Sequence, residues 1–478
     1  MIKTCCIYLV FVLLCARTTA QNMQILYDFD QLPQTLLLNP GSEIDYDRHF
    51  GVPFLSNVYA VAGSSNRDVN YNNLVSGTDG SGDVLRNLHA LGLESGEIFT
   101  FNQQIEFFNF GMRLRNPAYY LSFGMYQQTD GFSAYPQDFA DLFFFGDDQD
   151  QDGIPEYERN FNANDLNTIF ELLGVFHVGI NKKVNEKLSI GGRLKLLSGS
   201  IGLETTSNKG TYYLSQHPLS NEPYVHNFEN IGVQLNTSGI LDPFDLSDDI
   251  GSASELFAGL FFLNGSVGAS LDLGFTYDHS DEWTFTGSLL DIGMISFQHK
   301  ITNIDFDDAL IPSDEFYDPA GDELDYWEAL YISDELPLST GERSFSYFRS
   351  PRLNGSVRYN MRRKVKYDQI AFRNVRADLS SDYLTSSFGL QIYTAFRPKT
   401  PVWAVTGFYS RELNKYLSLK GTYTVDQFSF YNIGIGISTH IKSFNFYLTA
   451  DNLVALPTVK NSNYQSFQFG MNFTFNKR

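Results

Sequence analysis

Thiols are missing from all but the extreme N-terminus, since Cys5, Cys6 and Cys15 are the only cysteines in 478 residues. Once the segment that carries them is removed, disulfides, thiolate catalysis and cysteine–zinc sites are excluded. Basic residues are scarce as well. Lys and Arg number 34 against 55 Asp and Glu, a formal charge of −21. A surface this acidic cannot neutralise phosphates over its whole extent, so no nucleic-acid partner is expected. No window holds an unbroken apolar run long enough for a spanning helix. The nearest, 256–271, is interrupted by Gly259, Asn264, Gly265, Ser266, Gly268 and Ser270. Catalytic signatures are lacking too. The 8 histidines show no H-E-x-x-H or H-x-H spacing, and neither a G-x-S-x-G elbow nor a P-loop occurs, so the chain is not expected to be an enzyme.

What the chain does have is apolar and aromatic material, 43% and 15% of its residues, against only 19% charged. That balance argues against disorder. Lys3 precedes an apolar run from Cys5 to Leu14, and Thr18-Thr19-Ala20 places small residues at the −3 and −1 positions before Gln21. Residues 1–20 therefore read as a secretory signal peptide, and the mature chain is expected to start at Gln21.

The clearest periodicity lies at the C-terminus. Phe467, Phe469, Met471, Phe473 and Phe475 alternate with Ser466, Gln468, Gly470, Asn472 and Thr474. A strand of about ten residues, one face large and apolar and the other small or polar, suits a tilted transmembrane strand. The pattern recurs with Phe108, Phe110, Met112 and Leu114, and with Leu271, Leu273, Phe275 and Tyr277; in 188–195 the polar face carries Ser189, Arg193 and Lys195. Strands are predicted at 105–115, 118–126, 172–181, 187–197, 268–277, 283–293, 351–360, 385–396, 402–410, 416–425, 431–440, 444–452 and 466–475. A poorly alternating one at 50–62 brings the total to about 14, an even number as bacterial single-chain barrels have.

The fold class is thus all-β: a transmembrane antiparallel β-barrel of about 14 strands, with residues 21–100 holding an N-terminal plug or hatch and the first strand, and 101–478 the barrel with long extracellular loops. If the last strand ends in the periplasm, the tight connections at 116–117, 181–187, 279–282, 411–416 and 441–443 fall on that side. The long ones at 127–171, 198–267, 294–350 and 453–465 then fall outside. The expected location is the bacterial outer membrane, with lipid as the surrounding partner.

One run has the spacing of a metal loop. Asp148, Asp150, Asp152 and Glu156, with Gly153 where the chain turns sharply, place oxygen ligands at alternate positions, as calcium requires. The run resembles the first nine positions of an EF-hand or thrombospondin-type loop, but Arg159 stands where the bidentate carboxylate belongs; the competing reading is an acidic loop with a Gly-Ile-Pro turn. Residues 305–335 carry many carboxylates and no Lys or Arg, and read as a solvated acidic loop. Arg358, Arg362, Arg363, Lys364, Lys366, Arg373 and Arg376 read as a basic cluster in or beside a periplasmic connection. His177 and His440 read as ordinary strand residues near the interface or lumen.

Several stretches resemble a known group. Gln34 with Leu36-Leu37-Leu38-Asn39-Pro40-Gly41, the run Gly51-Val52-Pro53-Phe54-Leu55-Ser56, and the pair 271–277 and 288–293 are similar to an uncharacterised family of Bacteroidetes outer-membrane proteins, the DUF5723 type. More distantly the chain resembles fatty-acid-transporter barrels, with fourteen strands and an N-terminal hatch, and the PorP/SprF proteins of the type IX secretion and gliding apparatus. PorP/SprF chains are usually shorter, and have Asn-Pro-Ala where this chain has Asn39-Pro40-Gly41. Two functions follow as expectations. One is a plugged, porin-like channel or transporter for a small solute. The other is a non-transporting scaffold or accessory of type IX secretion or gliding, with a surface or periplasmic protein partner.

Overall fold

The computed structural model describes residues 23–70, 72–76, 91–145, 159–205, 208–215, 225–239, 253–306, 308–312, 337–361, 386–399, 401–414, 416–428, 432–453 and 462–475. Residues 1–20, expected to be a signal peptide, lie outside them. So do Asp148, Asp150, Asp152 and Glu156, the acidic stretch 313–336, and the basic residues from Arg362 to Arg376.

Fourteen antiparallel strands close into one barrel. We label them β1 (Arg48–Gly51 and Val58–Ser64, interrupted), β2 (Ile98–Arg113), β3 (Tyr119–Ala134), β4 (Asn167–Lys183), β5 (Leu188–Glu204), β6 (Val267–Asp278) and β7 (Trp283–Phe297). The remainder are β8 (Arg352–Met361), β9 (Ser386–Ala395), β10 (Val402–Asn414), β11 (Leu417–Asp426), β12 (Asn432–Ile441), β13 (Phe444–Ala450) and β14 (Tyr464–Phe475). Each pairs with its neighbours in sequence, and β1 closes the ring by pairing with both β2 and β14, with Val58 opposite Phe469 and Arg48 opposite Phe475.

Every predicted strand is present. Two differences have physical causes. The first strand is not the continuous 50–62 segment expected, because 52–57 leaves the ladder: Phe54, at φ 62°, and Leu55 turn outward, while Ser56 and Asn57 turn fully inward. That detour is what spoils its alternation. Strands β2 to β5 also run several residues further toward the long loops than predicted. In β2 and β3 three outward positions there are polar, Gln103, Gln127 and Thr129, with Thr129 hydrogen-bonded to both glutamines, so the apolar alternation lapses before the strands end.

Alternate side chains divide cleanly between two environments. Outward positions such as Val178, Ile180, Leu194, Leu196, Leu273, Leu390 and Ile392 form an exposed apolar belt, far larger than a water-soluble surface tolerates. Its short-turn edge carries aromatic residues, with Trp283 on Tyr359 at 5.1 Å between ring centres and Tyr359 on Phe388 at 5.3 Å, the girdle expected at a membrane interface. Inward positions are polar and buried: Arg193, Lys195, Asp272, Asp291, Gln391, Lys420 and Gln468 are all among them. This is the inside-out pattern of a transmembrane barrel.

At the long-loop end, strands Phe161–Asn162, Thr211–Ser215, Val225–Glu229 and Ala309–Pro312 form a separate small sheet. Helix α1 (Gln137–Phe145) packs Leu142 against its Phe161, Tyr212 and Phe228. A second helix, α2 (Ala253–Leu260), lies between β5 and β6 in sequence.

Candidate functional site

Most of residues 23–42 is buried against the inward face of the wall. Met23, Leu26, Tyr27, Phe29, Leu32 and Leu38 make an apolar cluster with the lumen-facing Tyr59, Val61, Leu290 and Tyr447. Polar atoms of the segment are then matched around the wall. Gln34 bonds Asn472 of β14 (2.8 Å) and Glu106 of β2 (3.3 Å). Asp28 accepts from Ser356 of β8 and Thr286 of β7, and the Tyr27 carbonyl accepts from Gln391 of β9 and Lys420 of β11. Gln31 donates to Glu412 of β10. Arg358, read from sequence as part of a basic cluster in or beside a periplasmic connection, points inward to Asp30.

Glycine sets how the Asn39-Pro40-Gly41 motif seats. The motif lies flat against Gly191 of β5 and Gly274 of β6, and a Cβ on Gly191 would overlap the Pro40 carbonyl oxygen. A Cβ on Gly41 would come within 2.5 Å of the Gly274 backbone. Asn39 donates to the Phe275 carbonyl (3.1 Å), and Asn181 of β4 donates to the carbonyls of Pro40 (2.8 Å) and Ser42 (2.9 Å).

Beside this segment lies a buried ion network. Lys195 bridges Asp272 (2.8 Å) and Asp291 (2.7 Å); Arg349 bridges Asp291 (2.6 Å) and Glu171 (2.5 Å); Arg352 also binds Asp291. Arg193 binds Asp272 at 2.5 Å. Four cations thus face three carboxylates. The surplus is met by the N-terminal segment, because Arg193 also donates to the carbonyls of Leu36 (3.2 Å) and Leu37 (2.7 Å). A β-bulge makes the cluster possible: pairing skips between Leu271 and Leu273, and Asp291 takes φ 60° opposite Asp272. His177, also lumen-facing and buried, stands in register with Lys195.

At the outer mouth, the small sheet and α1 enclose an apolar pocket of about 40 Å³, lined by Phe139, Leu142, Phe161, Tyr212, Phe228 and Ile231 among others. His226 beneath it bonds the Tyr212 hydroxyl (2.8 Å), and burial pulls its pKa down to about 4. Among the described residues no cluster of His, Cys, Asp and Glu has the geometry of a metal site.

Residues 40–451 match the model of a family of unknown function, DUF5723. The chain belongs to that family. No match was found among curated proteins. Among solved structures, this DUF5723 member is similar to the toluene transporter TbuX of Ralstonia pickettii, at 11% identity and TM-score 0.38 over 94% of each chain. It is also similar to a FadL homologue of Pseudomonas aeruginosa, at 8% identity and TM-score 0.42 over 93% of this chain and 94% of that one. A third is the toluene transporter TodX of Pseudomonas putida, at 9% identity and TM-score 0.35, covering 95% and 93%.

Sequence reasoning placed Arg193, Lys195 and Gln468 on the inward face. It missed the network, because Asp291 reaches it only through a bulge that breaks the strand's alternation.

Proposed function

We propose that this DUF5723 protein is a channel or transporter of the bacterial outer membrane that passes a small solute through a lumen closed at rest by residues 23–42. The short turns face the periplasm and the long loops the exterior, as in barrels of this class. The observation that carries the reading is the way the lumen is closed. The segment is not a strand of the wall; side-chain hydrogen bonds and three apolar clusters hold it, so it can leave without opening the barrel.

A closed lumen also suits the second reading, a scaffold or accessory of type IX secretion or gliding that binds a surface or periplasmic protein. One experiment separates the two. A variant lacking residues 23–42 is reconstituted in planar bilayers beside the full chain, and folding is checked by its gel shift before and after boiling. A transporter is expected to conduct once the segment is gone. A variant that folds and stays closed would favour the scaffold.

A further inference from the structure

Helix α2 lies on the outside of the barrel, at the upper edge of the apolar belt. Gly174 of β4, facing outward, leaves room for the Leu260 backbone, whose carbonyl a Cβ there would overlap. Two outward-facing serines of β5 follow directly on the exposed Leu194 and Leu196. Ser198 donates to the Gly259 carbonyl and accepts from the Phe262 N–H (2.8 Å); Ser200 donates to the Leu256 carbonyl (2.8 Å). Asn264 adds a bond to the Gly199 carbonyl (2.7 Å).

These serines occupy wall positions where a membrane barrel ordinarily carries apolar side chains; Ser198 satisfies the Gly259 carbonyl, one of those that a helix leaves open at its C-terminal end, and Ser200 adds a bond to the Leu256 carbonyl one turn earlier. In water, solvent would satisfy those carbonyls. In hydrocarbon nothing else can. The other side of α2 and its following turn is apolar and exposed: Phe257 at 54%, Phe261, Phe262 and Leu263 at 75%. Phe261 stacks on Phe107 of the wall (5.7 Å between ring centres), and Phe107 on Phe54 (5.3 Å), so this face continues the belt without a break. Apart from Glu255 in the first turn of α2, no Lys, Arg, Asp, Glu or His occurs from Ala253 to Leu271.

We propose that α2 and the 261–263 turn are sunk into the acyl chains of the outer leaflet, gripping the wall through Ser198 and Ser200. The proposal rests on the membrane reading of the barrel and adds a lipid-inserted element outside its wall. Single tryptophans are placed at Leu263, at Leu194 in the belt and at Leu310 in the outer sheet, in a chain whose native tryptophans are replaced by Phe. Each is reconstituted in vesicles of brominated phosphatidylcholine. L263W is expected to be quenched comparably to L194W, most strongly with bromines near the headgroup, while L310W is not. Replacing Ser198 and Ser200 with Ala should reduce quenching at 263 alone. Quenching of L194W without quenching of L263W would overturn the proposal and leave the barrel standing. Absence of quenching at both would remove the membrane reading and the proposal with it.

Discussion

The backbone N–H of Asp291 donates to Oδ1 of Asp272 at 2.7 Å, tying together two carboxylate-bearing residues on neighbouring strands. Lys195 bridges the two carboxylates, and Arg349 and Arg352 complete the shell of Asp291. The arrangement is tolerable because each carboxylate meets at least one cation and the surplus positive charge is met by the Leu36 and Leu37 carbonyls.

Replacing Asp291 with Asn is expected to destabilise the barrel by about 3–5 kcal/mol, the cost of stripping the partner from buried charges. Asn tolerates the φ of 60° found there, so the loss reads charge and not strain. Asp291→Ala should cost about 1–2 kcal/mol more, from the left-handed backbone. Denaturant titration of both variants folded in lipid measures the difference.

Gly191→Ala should unseat the N-terminal segment without removing it, because its Cβ would overlap the Pro40 carbonyl. The expected outcome is raised conductance in planar bilayers, with gel-shift behaviour of a folded barrel retained. A closed, fully stable variant would mean that the segment adjusts in place.

Phe469→Arg should cost ~2–4 kcal/mol if the outward face of β14 meets lipid at mid-membrane. Sequence alternation alone would make the neighbouring Gln468→Arg mild. The structure changes that expectation, since Gln468 is buried and donates to Asn57 at 2.7 Å, leaving no space for a guanidinium. The sharper contrast is Gln468→Ala, at about 1 kcal/mol for one hydrogen bond. Equilibrium unfolding in bilayers of two thicknesses tests the pair, as only the Phe469 variant should respond to thickness.

His226 sets a pH dependence for the outer sheet. Its pKa is about 4 folded against 6.5 in the unfolded chain, so the folded sheet holds fewer protons. The stabilisation is therefore complete above pH 6.5 and declines as pH falls toward 4, by at most about 3 kcal/mol. Protection factors for hydrogen exchange in 211–215 and 225–229, corrected for the intrinsic pH dependence of exchange, should fall as pH drops across that window. His226→Phe should flatten the response.

The 148–156 run remains a calcium proposal drawn from residue spacing. Calorimetry at millimolar calcium should show weak binding, on the order of 10⁻⁴–10⁻³ M, as in extracellular modules. Asp150→Ala with Asp152→Ala should abolish it without affecting the gel shift.

The barrel was legible because a membrane strand imposes a period of two, and β14, β6 and β2 keep it for most of their length. The lumen was not. Gln34, Asn39 and Arg193 are chemically unremarkable apart; only closure of the ring brings Gln34 to Asn472 and Arg193 to the Leu37 carbonyl. Nor does periodicity reveal a helix outside the wall. Ser198 and Ser200 look like lapses in an apolar face until α2 is seen resting on them.

The N-terminal segment also constrains how the molecule can be assembled. It runs directly into β1, whose partner across the seam is the last strand, β14, and Gln34 already reaches Asn472 of that strand. A sheet that sealed first would have to admit the segment through an end of a finished cylinder. Curling around it instead lets each new strand find an acceptor or donor already in position. On that route the segment would serve as a mandrel, and the seam between β1 and β14 would be the final contact made.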